Sequence, residues 1–400
     1  MREKKTTAMT PEDQLCLLLA RQLSPEVRQQ ALDLLASPLR WPLVLEHAKR
    51  YGITPLLYHA LEALSFYDVP DPVRTELANF FKVNAIRNEL LAEEMARILR
   101  LLGDAGIPAM PLKGIALAES LYEDPALRVF EDIDVLVPAE RMIEAFHLLV
   151  SSGYKPEFTQ PFLLDLLVRY GKDCLLMRED AMCTYPLELH CGLVWGGALE
   201  HDLLRKIWSE ASRETTYGVP AFTLSPDWEF LYLATHAARH GQDSLKWFID
   251  LDRFCSRGQL DWASAKQKAQ RLGWEDAVRD CLSACAQRLG TPIDPAFAPA
   301  TSARRSRLLD PPGLEVPGGI FFSLRLLKTP AQKLRFLAIR FLVPTPADSR
   351  FLPLPAALTS LYYLLRPFRF AALSARWLVQ AGIKKVRTLF EQLTLRLPWQ

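Results

Sequence analysis

Glu131-Asp132-Ile133-Asp134-Val135-Leu136-Val137 is the stretch on which the reading of this chain turns. Its apolar, β-branched half stops at Pro138, which marks a short strand. Side chains two apart on a strand share a face, so Asp132 and Asp134 converge while Ile133 and Val135 point the other way, into a core. Two carboxylates held this close repel each other unless a cation lies between them, and hard dications with oxygen ligands are the natural occupants. Leu187-Glu188-Leu189-His190 shows the same alternation, with the leucines inward and Glu188 and His190 outward. If the two strands are neighbours, ~4.8 Å apart, Glu188 completes a three-carboxylate cluster at the lip of a sheet.

Upstream, a short extended run over 107–112 ends at Lys113-Gly114, where strand turns into one or two helical turns over 115–122. Backbone N–H groups at a helix start bind phosphate. Gly114 allows close approach of a polyphosphate, and Lys113 and Arg128 can offset its charge. Three carboxylates holding one or two Mg²⁺ ions are a device for phosphoryl or nucleotidyl transfer. A lone Asp-x-Asp more commonly flanks a strand end in water, and Lys-Gly alone says less still. Their conjunction with a spaced Arg and a later strand Glu is far more specific.

The surroundings are helical. Residues 10–106 carry proline and capping punctuation such as Ser24-Pro25. The periodic stretch 74–102 predicts a long helix burying Leu77, Phe80, Phe81, Leu90, Leu91, Met95, Ile98 and Leu99. Residues 173–177 and 185–191 are strand candidates joined across Arg178-Glu179-Asp180, and helices resume from Ser225 to about Leu289. His236 and His240 lie four apart on one helix, but no Glu sits where a hydrolytic zinc motif needs one, so they read as packed or hydrogen-bonded residues. Lys246 and Asp250 also share a face. Lys246 could reach a triphosphate and Asp250 a sugar hydroxyl, or the two form an ordinary surface pair.

The chain of 400 residues carries 48 Lys+Arg against 46 Asp+Glu and is half hydrophobic, which excludes disorder and low-complexity scaffolding. Its charge is uneven: residues 301–400 hold 16 basic and 4 acidic side chains, and the remainder nets −10. From Pro367 a helical wheel puts Arg369, Arg376, Lys384 and Arg387 in one stripe beside an apolar face. This basic amphipathic tail could lie on an anionic membrane surface or bind a phosphate-rich partner; the simplest reading packs its apolar face on the acidic body and leaves its cations wet. No nucleic-acid-binding motif accompanies it. Seven cysteines at no zinc spacing, no signal peptide and no apolar run near ~20 residues predict a cytoplasmic protein, at most peripheral to a membrane.

The run from Leu112-Lys113-Gly114 through Leu121-Tyr122 and Arg128 to Asp132-Ile133-Asp134 resembles the uncharacterised nucleotidyltransferase family within the DNA polymerase beta-like superfamily. The likeness extends to Gly-Ile-Thr-Pro-Leu-Leu-Tyr at 52–58, to Leu187-Glu188-Leu189-His190 and to the block from His236 to Asp250, covering roughly residues 10–290. It implies an α+β fold, with a mixed-sheet nucleotidyltransferase core over 107–224. Helical regions flank it over 1–106 and 225–298, and the basic, Pro-interrupted tail spans 299–400. It further implies that Asp132 and Asp134 ligate Mg²⁺ or Mn²⁺, with Glu188 as third carboxylate, ligating metal or drawing a proton from the acceptor. Lys113, Gly114, Arg128, Lys246 and Asp250 would meet the nucleotide, with His190 and His240 in supporting positions. The implied reaction moves a nucleoside monophosphate from an NTP such as ATP to an unidentified acceptor hydroxyl. The alternative is a non-catalytic binding or assembly protein that docks through its tail. The wider superfamily usually places Gly-Gly or Gly-Ser where this chain has Lys113-Gly114.

Overall fold

Capping residues set the N-terminal helices where the sequence requires them. In α1 (Pro11–Leu19) the Thr10 hydroxyl accepts from the Asp13 amide, and in α2 (Pro25–Leu35) Ser24 accepts from Val27 N at 3.3 Å. Both carry Pro at the first helical position, where a missing N–H costs nothing. Then come α3 (Trp41–Tyr51), closed by Gly52 at φ +69°, α4 (Thr54–Ala63) and the 34-residue α5 (Asp71–Asp104). The computed structural model describes residues 9–193, 201–240, 245–297, 317–373 and 375.

The buried face of α5 departs from its apolar pattern. Leu77, Leu91, Met95, Ile98 and Leu99 are buried as expected, but Phe80, Phe81 and Leu90 are only partly so, and Asn84, Asn88 and Glu94 are buried instead. The reason is that α5 backs a loop as well as a core. Asn84 Nδ2 donates to Ala126 O at 2.7 Å, and Asn88 Nδ2 donates to Pro125 O at 2.8 Å and Arg128 O at 2.9 Å. Loop carbonyls sealed from water need such donors. Glu94 accepts from Arg97, Arg178 and the Tyr154 hydroxyl, tying α5 to the far side of the sheet.

The sheet is mixed, as expected, and has five strands, one more than the sequence suggests. Its strands are β1 (Met110–Leu112), β2 (Ile133–Leu136), β3 (Lys155–Pro156), β4 (Asp173–Glu179) and β5 (Thr184–His190), in the order β1-β2-β5-β4-β3. β2 and β5 run parallel and the other pairs antiparallel. The two acidic strands are indeed neighbours, but they form the middle of the sheet and not an edge. Ile133, Val135, Leu187, Leu189, Cys174 and Leu176 pack on one face, in a cluster shared with α5 and α7 (Met142–Ser151). Between β1 and β2 lies α6 (Gly114–Leu121), and α8 (Pro161–Tyr170) precedes β4. After β5 come α9 (His201–Ser209) and a hairpin of β6 (Ser212–Thr216) and β7 (Val219–Thr223), which joins the β1 side where Phe222 N donates to Ala109 O at 2.9 Å.

The helices α10 (Pro226–His240), α11 (Leu245–Ser256), α12 (Trp262–Leu272) and α13 (Glu275–Leu289) share one core with α1–α4 and with Met110, Leu112 and Leu136 of the sheet. The sheet's acidic face is therefore roofed by helices from both ends of the chain. Within α10, burial and the Glu214 carboxylate push Glu229 up to about 7 from 4.5, against an opposing pull from Arg257. The folded protein holds that proton more tightly than the unfolded chain, so stability is lost as pH rises through this interval. Glu229→Gln is expected to stabilise the fold by about 1–2 kcal/mol near pH 8, its partial exposure keeping the gain modest, and by almost nothing near pH 4. Urea unfolding at both pH values measures this; an equal effect at the two would contradict it.

The described part of the tail includes α14 (Pro317–Leu326), α15 (Pro330–Leu342) and α16 (Pro346–Phe351), each opened by proline, and a further helical stretch over 362–373. Phe322 and Leu326 enter the larger core, the Phe162 ring meets Tyr363, and Arg350 Nη1 lies 2.6 Å from Glu157. The expectation that the tail's cations stay wet fails at Arg366 and Arg369. Both are drawn inward by the buried Asp348, whose carboxylate they neutralise. Arg376, Lys384 and Arg387 lie outside the described residues. The cysteines are free thiols, and among the described residues no helix is long and apolar enough to cross a membrane.

Candidate nucleotide and metal site

Register decides which carboxylates meet. Asp134 pairs with Glu188 across the parallel β2–β5 ladder, Leu136 with His190, and His190 with Asp173 across the β4–β5 hairpin. The four polar side chains thus share the face opposite Ile133 and Leu187. Asp134 Oδ1 accepts from His190 Nε2 at 2.7 Å and lies 2.9 Å from Lys113 Nζ. Glu188 Oε2 is 3.3 Å from His190 Nε2 and 4.0 Å from Lys172 Nζ, and Lys172 is paired with Asp173. Because His190 Nε2 faces two carboxylates, it is the protonated ring nitrogen. His190 Nδ1, also buried, makes no hydrogen bond; its nearest carboxylate is Asp173 at 3.8 Å. Asp132, one residue before β2 and partly exposed, is not among the ligand atoms that cluster within 4.8 Å, so of the expected Asp132–Asp134 pair only Asp134 joins Glu188 there.

The charges respond to one another. Burial would raise the Asp134 carboxyl, yet Lys113 and His190 hold it far below its ordinary value. At Asp132 the balance is reversed: burial, then the Asp134 and Glu188 charges, outweigh the pull of Lys113 and Lys246 and push it up to about 6. Burial works against the Lys113 ammonium, but its surroundings, including Tyr232 and Asp134, hold it above its usual range. His190 is likewise raised: burial and Lys172 oppose its charge, and hydrogen bonds to Asp134 and Glu188 outweigh them. Ligand atoms of Asp134, Glu188 and His190 all fall within 4.8 Å of one another. Two carboxylates and an imidazole this close together, beside a third acidic side chain whose carboxyl is pushed up by burial and by the neighbouring charges, form a donor set that a divalent cation would relieve.

The turn from strand to helix forms at Lys113-Gly114, where the sequence places it. Lys113 caps α6 directly after β1, at φ +47° and ψ −133°, a conformation that favours glycine. Its ammonium, however, faces Asp134 and the Tyr232 ring, whose centroid is 5.9 Å away. Arg128 and Asp250, expected to meet phosphate and sugar, are turned on each other: Nε–Oδ1 is 2.9 Å and Nη2–Oδ2 2.7 Å, with both side chains essentially inaccessible. Arg128 Nη1 also donates to Gly114 O at 3.1 Å, and the Tyr122 hydroxyl to Asp250 at 2.8 Å. A fully buried guanidinium needs a carboxylate partner, and α11 supplies it. The pair fixes the turn from behind. Lys246 stays nearer the open side, its ammonium 4.7 Å from the Trp247 ring and pulled down by burial and by Arg128. The His240 side chain lies outside the described residues.

Residues 37–290 match the profile of the uncharacterised nucleotidyltransferases. The chain belongs to this nucleotidyltransferase family. No curated protein matches it. Among solved structures it is similar to an antigenic nucleotidyltransferase-like protein from Paracoccidioides brasiliensis, at 16% identity and a TM-score of 0.33, over 51% of this chain and 93% of that one. The nucleotidyltransferase match spans every residue of the acidic cluster and also Gly52, which opens the 52–58 run. Gly52 lies against the Lys246 stem; a Cβ there would sit 3.1 Å from Lys246 Cδ, in a left-handed conformation that already favours glycine. The start of the run thus packs against the Lys246 stem, a contact its sequence alone does not announce.

Sequence reasoning missed Lys172, Asp173 and Tyr232. Asp173 was recoverable, since counting back from a turn at 180–183 pairs it with His190. Tyr232 carried a weaker signal, four residues before His236 on the same helical face.

Proposed function

We propose that the protein transfers a nucleoside monophosphate from an NTP to an acceptor hydroxyl and releases pyrophosphate. The observation that carries this reading is the pairing of Asp134 with Glu188 on adjacent parallel strands, next to Asp132 and beneath the Lys113-Gly114 turn. Asp132, Asp134 and Glu188 would hold Mg²⁺ or Mn²⁺, which when bound supplies charge neutralisation for the triphosphate and acidifies the acceptor hydroxyl. The α6 start and Lys113 receive phosphate oxygens, with Lys246 adding positive charge beside Asp132. His190 holds Asp134 in orientation through Nε2–H. Glu188, the more open of the paired carboxylates, takes the acceptor proton as the new P–O bond forms and the bond to pyrophosphate breaks.

The test uses α-labelled NTPs, Mg²⁺ and a small-molecule and protein extract as acceptor source. Label transfer with pyrophosphate release is expected from the wild type and not from Asp132→Ala/Asp134→Ala. Equal turnover in both would overturn the assignment. One observation favours a non-catalytic binding role instead, namely that Lys113 already neutralises Asp134. Metal-dependent NTP binding without any labelled product, across all four NTPs, would support that reading.

A further inference from the structure

Resting on the function proposed above, we propose that Lys113 is a resident counter-ion that keeps the carboxylate site closed to divalent metal until a triphosphate draws it away. Asp134 Oδ1 already accepts two donors, Lys113 Nζ at 2.9 Å and His190 Nε2 at 2.7 Å. A carboxylate oxygen has two lone pairs, so this oxygen has none left for a metal ion. The histidine cannot easily leave: it is 0% exposed, on the central strand β5, with Nε2 also near Glu188. The lysine can. Its side chain hangs from the turn before α6, the point at which phosphate oxygens would arrive, so a rotamer change carries the ammonium from carboxylate to phosphate.

Two further features fit a dedicated role for this ammonium. The chain keeps a lysine at a backbone conformation that favours glycine, and such strain persists where the side chain earns its place. Tyr232 walls the ammonium in, and the whole residue is 8% exposed, so an empty site holds the cation in a fixed position instead of releasing it to water. Metal and ammonium repel each other across a shared carboxylate in this sheltered setting. Entry of a dication at this oxygen therefore requires departure of Lys113, entry at the other carboxylate oxygen is opposed by the ammonium's charge, and the triphosphate both attracts Lys113 and brings ligands of its own. Nucleotide and metal binding become one coupled event, and the coupling is reciprocal.

Mn²⁺ binding to the full chain, read from the electron paramagnetic resonance of free Mn²⁺, tests this with and without a non-hydrolysable α,β-methylene ATP. The wild type is expected to bind Mn²⁺ more tightly with the analogue by on the order of tenfold or more. Lys113→Met is expected to bind Mn²⁺ tightly without nucleotide and to lose most of that dependence. Lys113→Gly, which removes the ammonium and relaxes the backbone, provides the same reading should the methionine variant fold poorly. If both variants bind Mn²⁺ no more tightly than the wild type while Asp134→Asn loses it, the counter-ion role is overturned and the metal site stands. If Asp134→Asn binds Mn²⁺ as the wild type does, the metal site itself is overturned, and the counter-ion role with it.

Discussion

Asp134→Asn is expected to lower nucleotidyl transfer on the order of a thousandfold, with the protein still folded. The substitution preserves shape and removes the charge at the point where Lys113, His190 and the proposed metal converge. Part of the effect is structural, because Lys113 is left buried without its carboxylate, which costs about 1–3 kcal/mol. Glu188→Gln separates the two contributions. Glu188 is more exposed and held only by contacts of 3.3 Å and 4.0 Å, so its loss leaves stability nearly unchanged while transfer falls on a similar scale. Steady-state rates with paired denaturation curves measure both. A Glu188→Gln protein with full activity would remove Glu188 from the chemistry.

The largest stability effect belongs to Arg128. Removing one partner of a buried ion pair leaves the other charge uncompensated, so Arg128→Met is expected to destabilise the fold by about 3–5 kcal/mol. The double variant Arg128→Met/Asp250→Leu should recover a substantial part, since it removes both charges together. Tyr122 then loses its acceptor on Asp250, which keeps the recovery incomplete. Urea unfolding of the wild type, both single variants and the double variant gives the coupling directly. A stable Arg128→Met protein that loses NTP affinity would instead return Arg128 to the phosphate site, where its sequence spacing had placed it.

These two predictions mark the boundary of what the sequence made legible. Period-two alternation around Asp134 and Glu188 fixed the face each residue occupies, and short apolar strands of this kind pair with few alternatives. Alternation does not set strand direction, and the parallel pairing of β2 and β5, which puts Asp134 opposite Glu188, is a finding of the structure. What alternation cannot reveal is depth. It placed the acidic residues at the lip of the sheet, whereas the roof built from α10, α6 and the N-terminal helices leaves Asp134 only 2% exposed. Nor can it reveal partners separated by 122 residues, as Arg128 and Asp250 are, because either side chain reads equally well as facing solvent or ligand. Asn84 and Asn88 were unreadable for a related reason. An asparagine on a long helix looks like surface until the loop whose carbonyls it satisfies is brought against it. Lys113 stands out in the sequence, but its carboxylate partner does not, because Asp134 lies 21 residues on, in the next strand of the sheet.

The most direct measurement is anomalous diffraction from a crystal soaked with Mn²⁺ and α,β-methylene ATP. The account predicts a manganese peak about 2.0–2.6 Å from carboxylate oxygens of Asp134 and Glu188, with Lys113 moved onto the polyphosphate. Nucleotide bound elsewhere, with no metal at these carboxylates and Lys113 still paired to Asp134, would contradict it.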